Sequence, residues 1–76
     1  MTNNLKDTSL DISKFGINLW KIRSEKGMSR QALADEIGLQ DQRIIYDYEN
    51  GIKNPKLERA LLIAMALGVT LDSMFR

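Results

Sequence analysis

Between positions 42 and 47 the sequence sets out Gln42, Arg43, Ile44, Tyr46 and Asp47: a carboxamide, a guanidinium, a branched alkyl group, a phenol and a carboxylate. Such a set offers paired hydrogen-bond donors and acceptors beside an apolar contact, with no activated nucleophile among them. Its chemistry is recognition. A carboxamide matches the edge of adenine bidentately, a guanidinium forks onto guanine and an alkyl group lies against a thymine methyl, each good polar pair discriminating by roughly 1–3 kcal/mol. Tyr46 suits either a base or a phosphate. Asp47 suits a cytosine amino group, but four residues after Arg43 it is better placed to orient that arginine.

The remaining composition excludes much else. The chain has no His and no Cys, which removes the commonest general base, thiol nucleophiles, disulfides and the usual zinc ligands. It also lacks a phosphate-binding glycine loop and a paired-carboxylate motif, so we expect no enzyme, no cofactor and no metal. At 76 residues, 43% hydrophobic and 28% charged, it has the balance of one globular domain, with no room for a separate effector-sensing unit and no evident small-molecule effector. The apolar run Leu61–Leu67 is far too short to span a bilayer, and the first ten residues lack a signal-like apolar stretch; a cytoplasmic protein with no membrane contact is expected. The net charge of +1 does not by itself point to a polyanion, because basic nucleic-acid-binding domains have a pI above about 9. The argument rests on spacing.

The elements that must carry these side chains are short and helical. Residues 1–11, rich in Asn, Asp, Thr and Ser, read as a flexible N-terminal arm preceding a domain over 12–76. Phe15, Leu19 and Ile22 recur at helical spacing and the run stops at Gly27. Ser29 caps a second helix with Leu33, Ala34 and Ile37 inward, ended by Gly38. Asp41 caps a third over 42–50, with Ile45, Tyr48 and Glu49 inward and the five recognition side chains outward. Asn54 caps a fourth with Pro55 at its first position, and its core face is Leu57, Leu61, Ala64, Met65 and Leu67, up to Gly68. Thr70 caps a fifth, holding Leu71, Met74 and Phe75. No segment alternates with period two over five residues, so the fold class is all-α, five short helices.

Two short helices joined by a glycine-containing turn are the helix-turn-helix arrangement, whose second helix enters a major groove about 12 Å wide. Helices two and three meet that description. From Phe15 to Phe75 the chain resembles the Cro and phage-repressor (XRE-like) type of helix-turn-helix domain. The resemblance rests on Arg23 and Gly27 in IRSEKGMS, Leu33, Ala34 and Gly38 in LADEIG, and Ile45, Glu49 and Gly51 in IIYDYENG, followed by Asn54, Pro55 and the close LLIAMALGVTLDSMF. It implies a lambda-repressor-like fold, an internal ion pair of Arg23 with Glu49, and phosphate contacts from Ser29, Arg30, Lys53 and Asn54. The interval Gly38–Gly51 is one residue longer than the family's usual spacing, which places the extra residue near Leu39 and Gln40. Arg30 stands where Gln is common, an exchange expected to add phosphate affinity without specificity. The third helix carries Asp41, Asp47 and Glu49 against Arg43, a surplus of negative charge that opposes non-specific binding.

Ile17 and Trp20 lie off the first helix's core stripe, three residues apart. Either Leu10 and Ile12 of the arm fold back over them, or they form an interface, where Trp is a frequent anchor. Leu71, Met74 and Phe75 are further interface candidates, though such residues are more often core. The reading is a sequence-specific transcriptional regulator, a repressor acting as a homodimer on a palindromic double-stranded operator, since half-sites one helical turn apart demand a symmetric pair. The competing reading is an antitoxin- or antirepressor-like adaptor that holds a protein partner on the Ile17 and Trp20 face, with DNA binding secondary.

Overall fold

A computed structural model describes residues 10–76; most of the expected N-terminal arm lies outside the described residues. Four α-helices follow in order: α1 (Phe15–Glu25), α2 (Arg30–Glu36), α3 (Arg43–Glu49) and α4 (Leu57–Leu67). A 3₁₀ turn, Ile12–Lys14, precedes them and another, Asp72–Phe75, closes the chain. There is no strand among the described residues. The all-α class stands, but among the described residues there are four α-helices, not five. The segment after Thr70 winds as the tighter three-residue turn, Met74 N donating to the Leu71 carbonyl at 3.1 Å and Ser73 N to Thr70 Oγ1 at 3.3 Å.

The core is one cluster drawn from every α-helix: Phe15 and Leu19 from α1, Leu33 and Ala34 from α2, Ile45 and Tyr48 from α3, and Ala60, Ile63, Ala64 and Leu67 from α4, with Met74 from the final turn. Burying each large aliphatic side chain contributes about 1.5–3 kcal/mol relative to exposure. The two ends of the described chain meet over α1. Asp11 N donates to the Phe75 carbonyl, the Phe15 and Phe75 rings sit 5.5 Å apart, and Asn18 Nδ2 donates to the Met74 carbonyl at 2.8 Å. The hydroxyl and backbone amide of Ser13 both bond the Asp11 carboxylate and hold its pKa below the ordinary aspartate value.

Helix α4 departs from expectation twice. It begins at Leu57, not at Pro55: Asn54 supplies no cap, Lys56 is still extended (φ −70°, ψ 159°), and the favourable acid of the first turn is Glu58. Its buried face is Ala60, Ile63, Ala64 and Leu67. Of the stripe expected inside, Leu57, Leu61 and Met65 are 71%, 45% and 66% exposed. The helix is apolar on two faces, so periodicity alone does not choose between them, and packing selects the face on which Ala60 and Ala64 let the helix approach closely. No helix among the described residues is long and apolar enough to cross a membrane.

Candidate nucleic-acid interface

Helix α2 opens on Ser29, whose hydroxyl accepts from Ala32 N at 3.0 Å, a cap worth about 1 kcal/mol. Its end is a left-handed Gly38 (φ +80°), and Leu39 N reaches back to the Ala34 carbonyl at 2.8 Å. A side chain at 38 would strain that reversal, so glycine fixes where the chain turns toward α3. The connection occupies residues 37–42. Asp41 Oδ1 then accepts from Arg43 N at 2.8 Å and starts α3.

The inner side of α3 is tied by charge as well as by packing. Arg23 Nε lies 2.6 Å from Glu49 Oε2, a second guanidinium nitrogen lies 3.2 Å from Oε1, and the third donates to the Met28 carbonyl at 2.8 Å. The Glu49 side chain is 2% exposed. Arg30 Nε reaches the same carboxylate at 2.9 Å, so Glu49 sits between two arginines from α1 and α2. No buried side-chain polar atom among the described residues lacks a partner, which is the condition for such a buried ionic group to hold a helix without a large net cost. Tyr48 packs edge-on to Phe15 with ring centroids 6.5 Å apart, and its hydroxyl accepts from Arg59 at 3.3 Å.

Gly16 completes the seat of α3, a role that helical period does not mark. A Cβ there would lie 2.5 Å from the Tyr48 carbonyl oxygen and 2.9 Å from that of Glu49. Backbone meets backbone at this point, which only glycine allows. The available signal was a glycine inside an otherwise helical run, a position that costs roughly 1 kcal/mol against alanine unless packing needs it.

On the outer side, Gln42, Arg43 and Tyr46 are exposed. Together with Arg30, Asp41 and Asp47 they line one open concavity. Ile44 and Asp47 are placed differently from the other three recognition candidates. Ile44 is half-buried against the core, and the Asp47 carboxylate, 14% exposed, lies 3.7 Å from Lys53 Nζ and not on Arg43. The Asp47 carbonyl also accepts from Ile52 N and Lys53 N, so this residue shapes the loop after α3. Of the phosphate candidates, Ser29, Lys53 and Asn54 are exposed, while Arg30 is turned toward Glu49 and the Tyr46 ring. Lys53 and Asn54 share a second concavity with Lys56 and Arg59, two further cations not singled out by sequence. The acidity of α3 is offset in space: Glu49 is met by Arg23 and Arg30, and Asp47 by Lys53.

The interface candidates divide. Ile17 and Trp20 stand half-exposed, and Leu10 and Ile12 are exposed as well. Met74 is fully buried and belongs to the core of one chain, so it offers no interface surface; Leu71 and Phe75 are half-buried beside it.

A capped short helix, a glycine turn and a second helix with hydrogen-bonding side chains on its open face and a buried carboxylate on its inner one define a helix-turn-helix DNA-binding regulator. Residues 21–74 match the model of the Helix-turn-helix family. The chain belongs to that family, in its Cro/phage-repressor (XRE) branch. It is similar to the restriction-modification controller protein C.AhdI from Aeromonas hydrophila, at 34% identity and TM-score 0.77 over 84% of this chain and 96% of that one. A hypothetical transcription factor, NHTF, from Neisseria has 28% identity and TM-score 0.78 over 87% of this chain and 76% of that one. SinR, a master regulator for biofilm formation solved in complex with DNA, shares the fold at 23% identity and TM-score 0.72, over 79% of this chain and 95% of that one. No curated protein matches the chain.

Proposed function

We propose that this regulator is a non-enzymatic, sequence-specific repressor that places α3 in the major groove and reads base edges with Gln42, Arg43 and Tyr46. The observation that carries this reading is the exposure of those three side chains around one concavity, on a helix whose opposite side is anchored by the Arg23 and Glu49 pair. Ser29 has used its oxygen as an acceptor in the helix cap, which leaves its O–H free to donate to a phosphate, with Lys53 and Asn54 exposed beyond the other end of α3. The domain over 12–76 acts inside the cell as a homodimer on a palindromic operator. The exposed row Leu57, Leu61 and Met65, joined by exposed Leu62, supports the α4 outer face as the dimer surface.

Titration of labelled duplex from upstream of the chain's own gene, at two salt concentrations, tests the reading. Specific binding with a steep salt slope is expected, weakened about tenfold or more by Arg43→Ala. Binding indifferent to changes at Gln42, Arg43 and Tyr46 would sink the assignment. The adaptor reading retains one observation in its favour, the half-exposed Trp20 beside Ile17; if it holds, Trp20→Ala abolishes partner capture and leaves operator titration unchanged.

A further inference from the structure

Arg30 opens α2, where a cation is expected to reach for phosphate, yet its guanidinium is engaged twice within the protein. Nε donates to Glu49 Oε1 at 2.9 Å, and the central guanidinium carbon lies 5.2 Å from the centroid of the Tyr46 ring. Glu49 is itself fixed by the bidentate grip of Arg23. A chain of contacts therefore runs from the buried carboxylate through Arg30 to Tyr46, a half-exposed residue in the recognition concavity. Arg30 is two-thirds covered, its side chain being 33% exposed.

We propose that Arg30 is a positioning residue for DNA reading: set over the Tyr46 ring and anchored by Glu49, it holds that ring in one orientation and so sets specificity at the base pair Tyr46 meets. This rests on the regulator reading above and departs from the expectation that an arginine at 30 adds only phosphate affinity. The chemistry requires arginine in particular. Its guanidinium is planar and weakly hydrated, so it stacks on an aromatic face while its Nε–H still bonds a carboxylate; lysine keeps the charge as a hydrated point and lacks the plane, and glutamine lacks the charge. An exposed tyrosine without such a support samples several rotamers and must be ordered when it binds, which weakens discrimination.

The test selects binding sites from a pool of randomised duplexes with the wild-type chain, Arg30→Lys, Arg30→Gln, Tyr46→Ala and the Arg30→Gln/Tyr46→Ala double variant. It then measures the salt dependence of Kd on the wild-type consensus. We expect Arg30→Lys, Arg30→Gln and Tyr46→Ala to relax the same position of each half-site by about tenfold. The double variant should relax it no further than Tyr46→Ala does, and the salt slope of Arg30→Lys and Arg30→Gln should stay at the wild-type value. If Arg30→Lys keeps the full consensus while Arg30→Gln lowers the log–log salt slope by about 0.9, Arg30 is a phosphate contact and the proposal is overturned. In the free protein, the ring current of Tyr46 should shift the Arg30 δ-protons upfield, an effect lost in Tyr46→Ala; resonances at ordinary values would also overturn it. A wild-type chain that enriches no consensus refutes the regulator reading itself, and this inference with it. The Arg30 variants keep the Arg23 grip on Glu49, and thermal unfolding checks that they remain folded.

Discussion

Helices α3 and α4 stand on the same core but are secured by different means. On α3 the buried side carries a carboxylate held by two arginines, and the helix backbone presses on Gly16; its outward side is polar. On α4 the buried side is aliphatic and small, and the outward side is nearly as apolar as the inner one. A helix fixed by directional contacts has one allowed orientation, because a charge turned away from its partner inside the protein is costly. A helix held mainly by shape, as α4 is apart from the Arg59 bond to the Tyr48 hydroxyl, takes whichever face packs best and leaves the other exposed.

Removing the directional contacts should break this contrast with the largest effect. Glu49→Ala strands Arg23 beneath the surface and is expected to lower unfolding free energy by about 3–5 kcal/mol in urea denaturation, enough to leave so small a domain largely unfolded at 37 °C. Gly16→Ala pushes a methyl group into the carbonyls of Tyr48 and Glu49, so a loss of about 1–3 kcal/mol is expected; because α3 must shift to relieve the clash, operator affinity should fall in protein that remains folded. On the outer face of α4 the comparison predicts the opposite. Leu61→Lys combined with Met65→Lys should change monomer stability by no more than about 0.5 kcal/mol each, while sedimentation shifts from dimer to monomer. A substantial stability loss in that variant would show that the outward face of α4 belongs to the fold after all.

The same contrast explains what could be read from the chain beforehand. The helix-turn-helix was legible because its signals are local: Ser29 before an apolar run, Gly38 where the chain must turn left-handed, and Asp41 before the next helix. Helix α4 was misjudged because its cues conflict. Pro55 is acceptable in a first turn but equally so in an extended approach, and two apolar stripes satisfy one period. The site was legible to the extent that helical period places Gln42, Arg43 and Tyr46 outward. Period says nothing of Asp47 reaching Lys53 around the end of the helix, or of Arg30 reaching across from α2, since both meetings depend on how separate segments cross.

The close approach at Gly16 has a consequence for how such a protein diversifies. At Gly16 the contact between α1 and α3 is main chain against main chain, so any side chain placed there would push the two helices apart. Glycine at 16 therefore helps to set the angle at which α3 is presented, beside the Phe15 and Tyr48 rings and the Arg23 and Glu49 pair. A descendant of such a chain that keeps glycine at 16 keeps this seat, and can vary the outer surface of α3 without disturbing it.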